Sequence, residues 1–181
     1  AGSYGKVSAF SLYPGKNLGA AGDAGIVTTN DKKIYDKLLL LRNLGSGQKY
    51  VHEIKGGNHR LDTLQAIVLK HKLPYLKEWN EKRRAVVKKY QRMMDNPRVA
   101  LPHTPSRCTP VHHVYPVLVE DPKHFMKYLS DNDVQSGVHY PIIISEMPMY
   151  SHLPCTNAKA HEFSKQMVSL PIHPFMSEAE V

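Results

Sequence analysis

Two cysteines among 181 residues leave no material for a disulfide framework. Cys108 and Cys155 stand far apart with no CxxC spacing, so a structural zinc site has no ligand pattern either. Both read as ordinary thiols of a reducing compartment, and the cytoplasm is the expected location. No run approaches the roughly 20 apolar residues of a membrane span; Leu38–Leu41 is a typical apolar block. Repeats and low-complexity tracts are also missing. Acidic residues are the scarcer sign, 16 against 24 lysines and arginines, for a net charge of +8. The aromatics (8%) are not interleaved with the basic residues as nucleic-acid stacking platforms require, so no nucleic-acid partner is expected. The basic cluster at 82–92 reads as a solvated helix face, and an anionic small molecule stays compatible with the charge. Of eleven histidines, only His112 and His113 are adjacent. Adjacent strand residues point to opposite faces, so no metal role is assigned to them.

What is present is an ordinary globular composition, 41% hydrophobic, patterned as alternating elements. Residues 7–13 ("VSAFSLY") and 24–30 ("AGIVTTN") read as strands around a Pro/Gly-rich loop. Asn30 or Asp31 caps a helix that carries Ile34, Leu38 and Leu41 and ends at Gly45. A glycine-rich loop follows, and Asp62 caps a helix to about His71. Pro74 interrupts it, and a second helix runs to about Met94 with Leu76, Trp79, Val86, Tyr90 and Met93 on one stripe. Residues 96–110 form a proline-rich connection. Strands are expected at 112–119, around "VQSGVHY" and in "VSLPIHP", with helices capped by Asp121 and Asn157. Ser177 and Glu180 form a capping box beside the C-terminal residue. With strand-like sequence at the other end, this suggests an internal piece of a longer protein. The fold class is therefore α/β: residues 1–72 close a mostly parallel sheet, and residues 73–181 form a smaller α+β unit.

Lys16 follows a strand that is apolar on both faces, directly before glycines 19, 22 and 25. A lysine in a turn is ordinarily a solvated charge. Ligand crevices, however, open at the carboxyl ends of buried strands, and a desolvated amine acts as nucleophile or base. Ser11, five residues earlier, could offer a hydroxyl to a phosphate. The residues alone leave both readings of Lys16 open.

"FSLYPGKNLGAAGDAGIVTTND" resembles the lysine segment of the DegT/DnrJ/EryC1/StrS family of sugar aminotransferases. "LLLRNLGS", "GGNHRLDTLQAIVLKHKL", "EWNEKRR", "GVHYP" and "SLPIHP" are similar to that family's later blocks, in order. The resemblance implies the aspartate-aminotransferase fold (fold type I) and pyridoxal 5'-phosphate. It also implies transfer of an amino group, with glutamate as the expected donor, to a nucleotide-linked keto-sugar in amino-sugar biosynthesis. By the same resemblance Lys16 is the catalytic residue that carries the cofactor, and Ser11 binds its phosphate. Asn58 reaches the phosphate of the neighbouring subunit in a homodimer, while Arg60, His139 and Tyr140 lie on the substrate side; no metal is implied. Each position also has a plain structural role open to it. Ser11 can pack in a strand, Asn58 can sit in a turn, Arg60 can pair with Asp62, and His139 can be a satisfied core histidine.

Ala24, Gly57, His59 and Ser145 depart from the family pattern around the substrate mouth, which leaves the sugar open. The family's aspartate for the pyridinium nitrogen and its ring-stacking aromatic precede the lysine segment, so this piece alone is expected to be inactive. Two alternatives remain. One is a sugar dehydratase of the same fold, which carries histidine where Lys16 stands. The other is a non-catalytic homologue acting as a binding or assembly module.

Overall fold

The computed structural model describes residues 2–150, 152–154 and 157–181; Cys155 lies outside them. The chain divides into two compact units, Ala1–Leu76 and Lys77–Val181. No helix among the described residues is long and apolar enough to cross a membrane.

In the first unit, β1 (Val7–Ser11) and β2 (Gly25–Thr29) pair antiparallel, with Val7 opposite Thr29 and Ser11 opposite Gly25. A looped connection suffices for that pairing, whereas parallel strands need a crossover. The described part of the sheet is thus an antiparallel pair. The β1 faces, expected to be buried, are not: Val7 is 43% and Phe10 38% exposed. The buried hydrophobic side chains of this unit, among the described residues, are Ala20 and Leu69. Within the unit the strands have too little opposing surface to cover them.

Helix α1 (Lys32–Arg42) starts on Asp31, whose carboxylate accepts the Lys33 and Ile34 amides at 2.8 and 3.2 Å. It ends three residues before Gly45, whose N–H returns to the Leu40 carbonyl at 2.8 Å. Leu44 takes the left-handed backbone (φ 60°). Gly45 cannot be replaced there, because an added Cβ would lie 1.7 Å from the Ile54 carbonyl oxygen. The expected loop beyond it contains a small hairpin, β3 (Ser46–Gln48) and β4 (Val51–His52). Helix α2 (Thr63–Lys72) begins after Asp62, whose side chain makes no capping hydrogen bond. Pro74 converts the next three residues to a single 3-10 turn, and α3 (Leu76–Met93) follows.

The second unit has a real core. Its sheet has the order β5 (Val99–Ala100), β6 (Tyr115–Val119), β7 (Met167–Leu170), all antiparallel. The expected strand around "VQSGVHY" is reduced to one bridge, Gly137 to Ser169. Helices α4 (Pro122–Asp131) and α5 (Ala158–Gln166) complete the unit. Asp121 caps α4 through the His124 amide at 3.0 Å, whereas Asn157 makes no side-chain cap.

Alternate residues of β6 point inward, so Tyr115 and Val117 are fully buried with Val168. Val86, Val87 and Tyr90 of α3 join the same core. Burying each such side chain contributes about 1.5–3 kcal/mol. Tyr90 stacks on Tyr115, ring centroids 5.5 Å apart, and donates its hydroxyl to the Pro171 carbonyl at 2.9 Å. Met93, expected on the inner stripe, is 65% exposed; Met94 packs against the core instead. Counting in fours from Val86 leads through Tyr90 to Met94, so the inner row passes Met93 by.

The basic helix face is not wholly solvated either. Arg83 is buried, and its Nη1 donates to the carbonyls of His112, His113 and Ile172 at 3.1, 3.4 and 2.9 Å. Beside it, burial holds the His112 imidazole below its usual pKa, helped by the charges of Arg84 and Arg83. The fold therefore favours neutral His112. As pH falls through the ordinary histidine range the unfolded chain takes up more protons, and stability falls with it. His112 has φ 43°, a backbone that asparagine tolerates. His112→Asn should flatten the drop in urea-unfolding midpoint between pH of about 7 and 5; an unchanged slope would remove His112 from the titration.

Candidate active site

Lys16 is placed by a β-turn. Its N–H donates to the Tyr13 carbonyl at 2.8 Å, and Pro14 occupies the position whose φ proline presets. The chain then folds back so closely that a Cβ on Gly19 would lie 2.2 Å from the Pro14 carbonyl oxygen. Only glycine permits that approach.

The loop between β1 and β2 is closed by the Leu12 N–H to Ala24 carbonyl bond (2.9 Å) and the Ala20 N–H to Leu12 carbonyl bond (2.8 Å). Helix α2 clamps it from the side. Gln65 Oε1 accepts the Ala21 N–H at 2.8 Å, and Lys72 Nζ donates to the Gly19 carbonyl at 2.8 Å. Lys16 is half-buried on this fixed turn.

Ser11 and Arg60 line one cavity of about 390 Å³, together with Tyr13, Asp23, His59 and Leu61. Ser11 Oγ accepts the Tyr13 N–H at 3.4 Å. Among the described residues Arg60 pairs neither with Asp62 nor with another acid: its Nη1 donates to Asn43 Oδ1 at 3.1 Å, and Asn43 Nδ2 donates to the Ser46 carbonyl. A hydroxyl and a guanidinium in one cavity suit an anionic group. Lys16 is not part of that lining.

Asn58 is exposed at a position sewn to the end of α1. Gly57 N–H reaches the Leu41 carbonyl, His59 N–H the Arg42 carbonyl, each at 2.9 Å, and Asn58 bridges to Asn43. The orphan carbonyls of the helix end thus fix this segment.

His139 and Tyr140 belong to the second unit. Both are exposed, and their rings meet edge to face at 5.5 Å. His139 Nδ1 lies 2.9 Å from Ser169 Oγ. His139 is therefore not a core histidine.

The positioning residues Gln65, Lys72, Asn43 and Ser169 had no sequence signal. The first two act across 44 and 53 residues. Only Asn43, at the end of α1, stood where a cap could be sought.

The sequence matches the DegT/DnrJ/EryC1/StrS aminotransferase family over residues 1–181. It is 41% identical over 180 residues to the erythromycin biosynthesis sensory transduction protein EryC1 of Saccharopolyspora erythraea, across 97% of this chain and 49% of that protein. It is 38% identical over 183 residues to a dTDP-3-amino-3,4,6-trideoxy-alpha-D-glucose transaminase of Streptomyces venezuelae, across 99% of this chain and 48% of the relative. Among solved structures, S. venezuelae DesV in complex with a ketimine intermediate superposes with a TM-score of 0.92 at 38% identity. That match covers 99% of this chain and 50% of DesV. The chain spans about half the length of the curated relatives it matches. Match across the whole chain, together with the shared fold, makes it a member of the DegT/DnrJ/EryC1/StrS aminotransferase family.

Proposed function

We propose that this chain is the lysine-bearing part of a pyridoxal-phosphate-dependent aminotransferase. The whole protein moves an amino group from glutamate to a nucleotide-linked keto-sugar, in the cytoplasm. The observation that carries the reading is Lys16 on a clamped turn, in a chain of this family, with a hydroxyl and a guanidinium in a cavity beside β1. Lysine rather than histidine at this position favours amino transfer over dehydration.

The residues fit the cofactor. Its phosphate is a dianion, and Ser11 and Arg60 offer donors from one cavity. Lys16 has the primary amine that binds its aldehyde. When bound, pyridoxal phosphate supplies the electron sink that makes the carbon next to the amino group acidic. Lys16 Nζ would hold and move the proton of that carbon, as base and then as acid. The clamp from Gln65 and Lys72 would hold the turn, and with it the lysine, in position for that transfer. Residues 1–72 then belong to the large cofactor-binding domain and 73–181 to the small domain, with His139 and Tyr140 on the sugar side.

A second chain completes the site. Asn58 has an exposed side chain on a fixed backbone, and Leu64 (75%) and Ile67 (48%) of α2 stand exposed in the same unit. A two-fold partner would cover such a surface, and the exchange of Asn58 would be reciprocal.

In the full-length protein, Lys16→Ala should abolish the borohydride-reducible cofactor adduct, read by mass spectrometry of peptides. An adduct that persists on another lysine would overturn the assignment. Asn58→Ala should weaken cofactor binding by about 1–3 kcal/mol, one hydrogen bond to a charged group. Mixing the two variants, with cofactor too dilute to fill the Asn58→Ala site, should restore part of the activity, because one site of a mixed dimer keeps both Lys16 and Asn58. A mixture that stays inactive after demonstrated subunit exchange would place Asn58 outside the partner's site.

A further inference from the structure

We propose that the cavity between the end of β6 and the first two turns of α4 binds a free α-amino acid with an apolar side chain. The cavity measures about 370 Å³, which is in the range of small-molecule sites. Val99, Val119 and Phe125 form its apolar wall, while Arg98, Glu120 and Tyr128 bring a guanidinium, a carboxylate and a phenol to the same space.

The sheet and the helix set this placement. Val99 pairs with Val119 across the antiparallel ladder. Arg98 precedes the one and Glu120 follows the other, so both charged residues stand at the same end of that pair. Tyr128 lies four residues after His124 and three after Phe125, which sets all three on one face of α4. Phe125 packs against the core and Val119 is 6% exposed, so the apolar wall is fixed.

Two further polar residues of the lining are already engaged. Asn96 accepts the Arg98 N–H at its Oδ1 and the Val99 N–H at its carbonyl, each at 3.0 Å, and so fixes the turn that carries Arg98. The Asp121 carboxylate is the cap of α4 and accepts the His124 N–H. The Arg98 and Glu120 side chains are not engaged. Opposite charges on neighbouring strands ordinarily find each other. Yet neither side chain makes an ion pair or a hydrogen bond among the described residues, and the Tyr128 hydroxyl makes none there either.

A cation and a carboxylate left unpaired beside an apolar wall complement a molecule that carries both charges and an apolar group. The guanidinium takes the amino acid's carboxylate through two N–H donors. Glu120 accepts from its ammonium, and its side chain leaves water against Val99, Val119 and Phe125. A plain anion would face two carboxylates, Glu120 and Asp121, for one guanidinium. A plain amine would leave Arg98 unanswered. The site draws on no step of amino transfer and goes beyond the function proposed above.

The test is a methyl NMR titration of valine-labelled full-length protein at constant pH and ionic strength, read at Val99 and Val119. The probes are L-phenylalanine, 3-phenylpropionate (no ammonium), 2-phenylethylamine (no carboxylate) and glycine (no side chain). Both methyl signals should move saturably with L-phenylalanine, and each of the other probes should bind about tenfold more weakly or worse. Arg98→Gln and Glu120→Gln change exposed side chains that make no bond in the fold. Each should weaken L-phenylalanine about tenfold. Arg98→Gln should not weaken 2-phenylethylamine, and Glu120→Gln should not weaken 3-phenylpropionate, a selectivity that general loosening of the fold would not produce. Unmoved methyl signals, a probe lacking one charge that binds as tightly as L-phenylalanine, or an unchanged affinity in either variant would overturn the proposal. The probe series on the unsubstituted protein decides alone if a variant does not fold. Reading at Val99 and Val119 excludes L-phenylalanine that reacts elsewhere. Binding here without amino transfer would refute the proposed activity alone, and amino transfer with unmoved methyl signals would refute this site alone.

Discussion

Hydrogen bonds hold the loop that carries Lys16, four of them closing and clamping it, where the first unit buries little apolar surface. Two are the loop's own, Leu12 to Ala24 and Ala20 to Leu12; two come from Gln65 and Lys72 of α2. A chain segment that buries little apolar surface has only such bonds, each worth about 1 kcal/mol net, to offset the entropy of ordering it. They work here because Pro14 and Gly19 have already narrowed the backbone's choices. Proline presets the first corner, and glycine lets the return strand pass against it. The same economy recurs at the end of α1. The close approach at Gly45 and the carbonyls of Leu41 and Arg42 fix the segment bearing Asn58.

The second unit is organised the opposite way. Its core of valines, Tyr90, Tyr115 and Leu170 supplies the stability, and polar contacts are added at its edge. Arg83 shows the logic. Burying a guanidinium is costly, and burial alone lowers its proton affinity. Bonds to three main-chain carbonyls offset that cost, and they tie α3 to the segments entering β6 and leaving β7. Rigid strand ends are then available to display histidines. A helix face that looks like surface charge thus contributes one residue to the interior.

Where reading by residue type succeeded, the cause is local. Asp31 and Asp121 sit one residue before their helices and cap them, because a cap needs only the next two or three amides. Asp62 and Asn157 occupy the same kind of position without making that bond, so cap identity located the helix starts but did not decide the hydrogen bond. β6 was legible as a strand, though His112 and His113 precede it in a different backbone. The strand sought around Gly137 shrank to a bridge, since pairing is decided by the partner strand and not by local preference. At the site, Lys16, Ser11, Asn58, Arg60, His139 and Tyr140 were named from family resemblance. Their partners Gln65, Asn43 and Ser169 were not, because each contact joins residues that sequence order separates.

The sequence by itself determined the turn of Lys16, the caps of α1 and α4, the break at Pro74, the strand at β6 and the family. All of these depend on short-range sterics, hydrogen bonds within one turn, or motif order along the chain. Only the tertiary structure decided that Arg60 meets Asn43 rather than Asp62, and that Arg83 goes inside. It alone set Ser169 against His139 and left the apolar residues of β1 and β2 in the open. Those outcomes depend on which surfaces oppose one another in space, and a pattern of residue types along one chain does not contain that information.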